Sequence, residues 1–170
     1  MNTTLPTDPN PTRVQELTFI IPEAFSAELC KEVLCTALQV DWSSPECHLA
    51  LQRDKRRLRY YLEPAGNKAS SDRLPCGLQL AARCRIELAR VLPDLVSIPS
   101  YADVFHRPSI LITLPGAKEQ KFHRDADDTS TYSLLVAVTP RDFIFKDHGL
   151  VQLRRRDVLV FKAFVCHAGS

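Results

Sequence analysis

The chain has 170 residues, of which 45% are hydrophobic and 25% are charged, and its formal net charge is +2. This composition is ordinary for a globular protein, and a chain of this length can form one domain with a substantial core. The small net charge argues against nucleic acid or an anionic membrane as the main partner. No apolar run is long enough for a membrane-spanning helix.

The cysteines show no close CxxC pair, and no secretory signal precedes them. They are Cys30, Cys35, Cys47, Cys76, Cys84 and Cys166. Cys30 and Cys35 lie in an apolar periodic stretch, where a free thiol packs as a small hydrophobic group. This pattern favours a reducing compartment, and we expect the protein to be cytoplasmic or nuclear.

The N-terminal half predicts a tail followed by two helices. Residues 1–18 are rich in Pro, Thr and Asn and predict a flexible tail, whereas residues 19–170 are predicted to form a single domain. A short apolar strand begins at Phe19, and a helix begins near Ser26, where apolar residues start to recur at helical spacing. A second helix is predicted over about Leu78–Val91.

Between the two predicted helices, a strongly basic run extends from Arg53 to Arg59 in a segment that looks extended. Such a run is most often a solvated face, and that is the expectation here. An acidic peptide or a phosphate backbone is the alternative ligand for it. Nucleic acid is the less favoured of these, because only Tyr60 and Tyr61 offer aromatic rings beside the run.

After Pro99 the pattern changes to short apolar strands. SILITLP is closed by the turn dipeptide Pro115-Gly116, and the segments TYSLLVAVTP, FIF, LVQL and DVLVFKAFVCH follow. Two helices followed by about six short strands predict an α+β fold, with the helices on one side of an antiparallel sheet system.

The residues with chemical potential lie in this β half. His123 and Asp125 are two positions apart, so their side chains point to the same face of an extended segment. His167 directly follows the last apolar strand. Two histidines and one carboxylate form the facial triad that suits Fe(II), because three ligands on one face leave the opposite face open. A structural zinc site would instead use four ligands, usually including thiolates.

Each of these residues also has an ordinary structural interpretation. His123 and Asp125 could form loop ion pairs with Lys121 and Arg124, and His167 could be a partly buried histidine at a strand end. Their order and context together favour the metal site. A hydrolase or isomerase that uses the same ligands with zinc or manganese stays open as an alternative.

Four segments resemble the Fe(II)- and 2-oxoglutarate-dependent oxygenases, in particular the prolyl 4-hydroxylase-like branch. They are PEAFSAELCKEVLCTAL, ILITLPGAKEQKFHRDAD, YSLLVAVTPRDF and RRRDVLVFKAFVCHAG. The resemblance spans about Phe19 to the end of the sequence. It implies a double-stranded β-helix (jelly-roll) core flanked by N-terminal helices, with iron held by His123, Asp125 and His167.

The resemblance also implies an activity. We expect a dioxygenase that uses Fe(II) and 2-oxoglutarate to hydroxylate a C–H bond, with ascorbate as a further cofactor. The expected partners are 2-oxoglutarate, O2 and a protein or peptide substrate, and a peptidyl proline is the first expectation for the reacting residue. No catalytic residue beyond the metal ligands is expected. A non-catalytic jelly-roll binding module derived from such an oxygenase is the alternative.

The sequence departs from the family pattern at several positions. Thr113 and Leu114 stand where a Tyr is usual, and Arg156 stands where a Gly usually comes before the Asp. The final strand and the Lys or Arg that anchors 2-oxoglutarate would lie beyond Ser170. We therefore expect a domain that is incomplete at its C-terminus, with weak or no turnover and an exposed strand edge through which it could oligomerise.

A basic residue from another strand could replace the usual anchor of 2-oxoglutarate. The candidates are Arg141, Lys146 and Lys162, all of which lie in the predicted β half. The sequence does not rank them.

Overall fold

The computed structural model describes residues 18–44, 47, 56–63, 76–91, 108–118, 120–127, 129 and 131–169. Within these residues the chain forms two helices and eight strands, and all strand pairs are antiparallel, so the predicted α+β class is confirmed. In chain order they are β1 (Thr18–Ile21), α1 (Ala27–Gln39), β2 (Arg57–Tyr61), α2 (Cys76–Val91), β3 (Ser109–Thr113), β4 (Tyr132–Val136), β5 (Arg141–Phe145), β6 (Gly149–Leu153), β7 (Val158–Lys162) and β8 (His167–Gly169). Residues 1–17 of the predicted tail and residues 53–55 of the basic run lie outside the described residues.

Both helices lie where the apolar periodicity predicts them. The Ser26 hydroxyl accepts a hydrogen bond of 3.2 Å from the Leu29 backbone N–H and so caps the start of α1. The apolar face of α1, including Leu29 and Cys30, is buried in the same core cluster as Leu80 and Ala81 of α2. The two helices therefore share one core.

The strands form three small sheets with the orders β1-β7-β4, β2-β3 and β6-β5-β8. Successive side chains of a strand point to opposite faces. Val158 and Val160 of β7 accordingly pack against the helices, whereas Leu159 and Phe161 pack against β5 in a second core cluster. Strand β7 thus joins the two cores, with the helices on one side of its sheet.

The turn after β3 is the one that the Pro-Gly dipeptide predicts. The Ala117 N–H donates to the Leu114 carbonyl at 3.1 Å, and Gly116 has φ +76°. Pro at the second position and a left-handed Gly at the third are the signature of a type II turn. This turn lies between β3 and the segment that carries His123 and Asp125.

A second turn, between β6 and β7, contains an arginine in the left-handed region. Arg156 has φ +81°, at the position where the resembled family has Gly. Its Nε donates to the Phe25 carbonyl at 2.7 Å, and its Nη1 lies 3.2 Å from the Glu23 carboxylate. The neighbouring Asp157 is buried and accepts the Glu23 N–H at 3.1 Å. These contacts offset the backbone strain and fix the segment that leads into α1.

Neither helix in the described part of the chain combines the length and apolar character needed to cross a membrane.

Candidate metal centre

Backbone pairing brings the His-x-Asp segment beside β8. The N–H of His123 donates to the His167 carbonyl, and the N–H of His167 donates to the His123 carbonyl, both at 2.9 Å. The Asp125 N–H donates to the Ala163 carbonyl at 2.9 Å. The two stretches therefore run antiparallel, and their pairing sets the positions of all three predicted ligands.

The three predicted ligand side chains converge on one point. The Asp125 Oδ1 lies 3.7 Å from the His123 Nε2 and 3.6 Å from the His167 Nε2. One ligand atom from each residue lies within 4.8 Å of the other two. A metal held at about 2.1 Å by each ligand places neighbouring ligand atoms about 3 Å apart. Closing onto an ion would therefore require movements of less than about 1 Å.

Both imidazoles present the same nitrogen to this point. The His123 Nδ1 lies 3.0 Å from the Lys121 carbonyl, and the His167 Nδ1 lies 2.8 Å from the Val165 carbonyl. A carbonyl can only accept, so each Nδ1 carries a proton and donates, and each Nε2 is the nitrogen turned towards Asp125. This arrangement is typical of metal-ligating histidines, whose other nitrogen donates to a neighbouring acceptor.

The Asp125 carboxylate is also held in place. The Ser133 hydroxyl donates to its Oδ2 at 2.5 Å, which leaves Oδ1 directed at the two histidines. Burial alone would raise the pKa of Asp125, but the nearby imidazole of His167 and the hydrogen bond from Ser133 outweigh burial and lower the pKa below its ordinary value. Asp125 therefore carries a negative charge at neutral pH.

The site is closed behind His167 and open in front of the other two ligands. His167 is only 3% exposed, and its ring stacks on Phe143 at 5.1 Å and meets Phe161 edge-on at 4.7 Å. The side chains of His123 and Asp125 are 36% and 40% exposed. A ligand could therefore approach the three converging atoms only from the exposed side.

That open side faces a cavity of about 550 Å³. Its apolar lining includes Leu134 and Val136 of β4. Three arginines also line it, namely Arg57, Arg59 and Arg141. The cavity thus combines the three converging ligands with cationic side chains.

The expected solvated face is wrong for part of the basic run. Arg57 is only 8% exposed, and its Nη2 donates to the Lys118 and Gly169 carbonyls at 3.1 and 3.0 Å. The reason is strand alternation, which turns Arg57 and Arg59 towards the cavity while Leu58 is buried on the other side. Arg56, next to β2, is exposed as expected.

The structure separates the three candidate anchors for a dicarboxylate. Arg141 lines the cavity, and its buried Nε has no hydrogen-bond partner among the described residues. Burial, together with the nearby charge of Arg57, lowers the pKa of Arg141. Neither Lys146 nor Lys162 lines the described cavity. Lys146 is exposed, and the Lys162 ammonium lies 3.8 Å from the centre of the Tyr132 ring.

Sequence reasoning missed three residues of the site. Arg57 and Ser133 have the roles described above, and Gln120 uses its Oε1 to accept the Gly169 N–H at 2.9 Å while its Nε2 lies 3.3 Å from the His123 Nε2. The alternation RLRYY in β2 was the available signal for Arg57. Gln120 and Ser133 had no comparable signal, since their roles depend on contacts across strands.

No protein-family model matches this chain, and no curated protein sequence matches it. The interpretation of the cavity therefore depends on its own geometry and chemistry.

Proposed function

We propose that this protein is an Fe(II)- and 2-oxoglutarate-dependent dioxygenase that hydroxylates a C–H bond of a protein or peptide. The observation that carries the proposal is the convergence of the His123 Nε2, the Asp125 Oδ1 and the His167 Nε2 beside a cavity lined with arginines. Two imidazoles and a carboxylate on one face are the ligand set of non-haem Fe(II) oxygenases.

The order of the strands supports a double-stranded β-helix as the core. Strands β4 and β7 pair in one sheet, whereas β5, β6 and β8 pair in another. The chain therefore crosses between sheets after β4, returns before β7 and crosses again before β8. Such crossings between two antiparallel sheets are characteristic of a jelly roll. In such a core the paired segments of His123 and His167 would belong to the same sheet as β5.

The ligand set favours an open, catalytic metal site over a closed structural one. Among the described residues, the cluster offers three ligand atoms and no thiolate, whereas a structural zinc site uses four ligands. The remaining face is turned to the cavity, where a cosubstrate and O2 would bind. When bound, Fe(II) would supply the redox chemistry that activates O2.

The protein's own residues would orient the ligands and limit access. Ser133 holds Asp125 with one oxygen directed at the histidines. The carbonyls of Lys121 and Val165 accept from each Nδ1 and so hold each Nε2 towards Asp125. The phenylalanines around His167 exclude water from behind the site.

Arg141 is the residue that we propose to bind the distal carboxylate of 2-oxoglutarate. It lines the same cavity as the three converging side chains, and its buried Nε has no hydrogen-bond partner in the described part of the chain. Its Nη2 lies beside Gly169, two residues beyond His167. A buried guanidinium with an unused donor is stabilised by an incoming carboxylate, which can accept two parallel hydrogen bonds.

Anaerobic addition of Fe(II) and 2-oxoglutarate tests the proposal. Joint chelation should produce a weak visible charge-transfer band, which neither component gives alone. His123→Ala should abolish the band, because it removes one ligand, whereas His148→Ala should retain it, because His148 lies in the exposed turn before β6. Metal binding without the band would contradict the oxygenase and favour a non-oxidative metal enzyme. Absence of metal binding would favour a non-catalytic module.

A further inference from the structure

One face of strand β2 presents a row of polar side chains to the cavity. The three side chains of this row that line the cavity are Arg57, Arg59 and Tyr61. They alternate along the strand with Leu58 and Tyr60, which are buried. Side chains two residues apart on a strand are separated by about 6.5 Å. The row therefore extends over more than one residue of a bound ligand.

Within this row, Arg59 has an incomplete set of partners. Its Nη1 donates to the Tyr61 hydroxyl at 3.1 Å, and its guanidinium lies 5.6 Å from the centre of the Tyr61 ring. Among the described residues its buried Nε has no hydrogen-bond partner, and its guanidinium forms no ion pair with a carboxylate. Glu63, the next acidic residue after it, pairs instead with Arg85 of α2.

The charges of the cavity lining do not balance. Its described charged residues are three arginines and the single carboxylate of Asp125. A divalent metal and a dicarboxylate cosubstrate would cancel each other and leave the surplus of positive charge unchanged. Uncompensated charge is costly in a partly buried site, so a further anionic group is expected there.

The three cavity arginines differ in the contacts that they already make within the protein. Arg57 donates to two backbone carbonyls, and Arg141 lies beside Gly169, close to the metal ligands. Arg59 stands one strand repeat beyond Arg57 on the same face and does not share these contacts. It is therefore the guanidinium available to a group that lies beyond the metal and its cosubstrate.

We propose that Arg59, oriented by Tyr61, binds the carboxylate of an acidic residue in the peptide substrate, near the residue that reacts. The identification of this peptide as a substrate rests on the proposed function. The prediction that the peptide binds at Arg59 does not. The planar fork of a guanidinium matches a carboxylate in a bidentate way, and its position over an aromatic ring fixes its direction.

A peptide fits the cavity better than nucleic acid does. Binding of single-stranded nucleic acid relies on stacking of bases on aromatic side chains. The tyrosines that line the described cavity are Tyr61 and Tyr132. Their rings already form cation–π contacts, with Arg59 and Lys162 respectively. The lining phenylalanines Phe143 and Phe161 pack against each other and His167.

The test measures binding of labelled decapeptide pools to the full chain by fluorescence anisotropy, without iron or O2. Each pool has a central proline, and its flanking positions are enriched in Glu, Gln or Lys. The Glu pool should bind at least about 10-fold more tightly than the Gln pool, as a charge-assisted bidentate contact predicts. Arg59→Gln should remove this preference, whereas Arg154→Gln should retain it, since Arg154 is an exposed arginine outside the cavity lining.

Equal binding of the Glu and Gln pools by the unaltered protein would overturn the proposal, and this comparison does not depend on the folding of a variant. A preference for Glu that survives in Arg59→Gln would overturn the assignment of Arg59. Tighter binding of a dT12 oligonucleotide than of the Glu pool, lost in Arg59→Gln, would replace the peptide by nucleic acid. Absence of the charge-transfer band would contradict the proposed oxygenase activity, but it would not affect the conclusions from these peptide-binding measurements.

Discussion

Two walls of the same cavity differ in how their polar groups are satisfied. On the metal-ligand wall, the Nδ1 atoms of His123 and His167 and the Oδ2 of Asp125 all have protein partners. On the arginine wall, the Nε atoms of Arg59 and Arg141 have none among the described residues. The first wall presents three converging ligand atoms that could hold a cation, whereas the second lacks hydrogen bonds that an incoming anion could supply.

The difference has a structural origin. The metal-ligand wall is built by backbone pairing between the His123 segment and β8, so its side chains are surrounded by carbonyls and a hydroxyl. The arginine wall is built by one face of β2 and the start of β5. Its guanidinium groups extend into the cavity, where fewer protein acceptors reach them.

The largest expected effect comes from removing the negative charge of the metal-ligand wall. Asp125→Asn should lower Fe(II) affinity by more than about 100-fold, since loss of an outer-shell partner alone typically costs about 10–100-fold. Asp147→Asn, in the exposed turn before β6, is the matched control and should bind normally. Anaerobic calorimetric titration with Fe(II) measures both. Unchanged affinity in Asp125→Asn would remove Asp125 from the ligand set.

A smaller loss is expected when only the partner of that carboxylate is removed. Ser133→Ala leaves Asp125 charged but frees its Oδ2, so Fe(II) affinity should fall by about 10–100-fold. The matched control is Ser109→Ala, because Ser109 of β3 also lines the cavity. This variant should bind Fe(II) normally. If both variants bind alike in the same titration, the hydroxyl does not orient the ligand.

The arginine wall can be perturbed without touching its charges. A methyl group at Gly169 would lie 2.8 Å from the Arg141 Nη2 and 3.2 Å from the Gln120 Oε1. Gly169→Ala should therefore displace the guanidinium and weaken binding of 2-oxoglutarate by about 10-fold, the loss of one charge-assisted contact. Displacement titration of the charge-transfer band measures the affinity.

Arg141→Gln supplies the control for this displacement. If Gly169→Ala acts through Arg141, the double variant should bind 2-oxoglutarate no more weakly than Arg141→Gln does alone. Additive losses would show that the methyl group acts elsewhere.

The smallest effect concerns Arg85, an arginine outside the cavity lining that already has an acidic partner. Arg85 hydrogen-bonds both carboxylate oxygens of Glu63 and lowers the pKa of Glu63 below its ordinary value of 4.5, despite the opposing effect of burial. A lowered folded-state pKa contributes stability that is present above pH 4.5 and is lost as the pH falls through the folded value. Glu63→Gln should cost about 1 kcal/mol at pH 7 and flatten the acidic part of the stability profile. Urea unfolding from pH 3 to 7 measures it, and an unchanged profile would contradict the pairing.

Most elements were predictable because their signals are local. The helical period after Ser26, the Pro-Gly turn and the alternating apolar strands depend on neighbours within a few residues. The convergence of His123, Asp125 and His167 was also expected, from the order of the segments and the resemblance. That they bind iron stays a prediction.

Burial of cations was not predictable in the same way. Composition alone predicts that a basic run is solvated. Arg57 is instead buried, and its guanidinium donates hydrogen bonds to the carbonyls of Lys118 and Gly169. Arg156 likewise occupies a position typical of Gly, because its side chain binds Glu23 and Phe25, which lie far away in the sequence.

The sequence by itself determined the helices, the strands and the three side chains with metal-ligand chemistry, because hydrophobic period, turn residues and residue type are properties of short segments. Only the tertiary structure decided which cations share the cavity with them, which nitrogen of each histidine faces a carbonyl and which hydroxyl holds the carboxylate. Those features depend on contacts between strands distant in sequence, and the free energy of each contact exists only once the strands have paired.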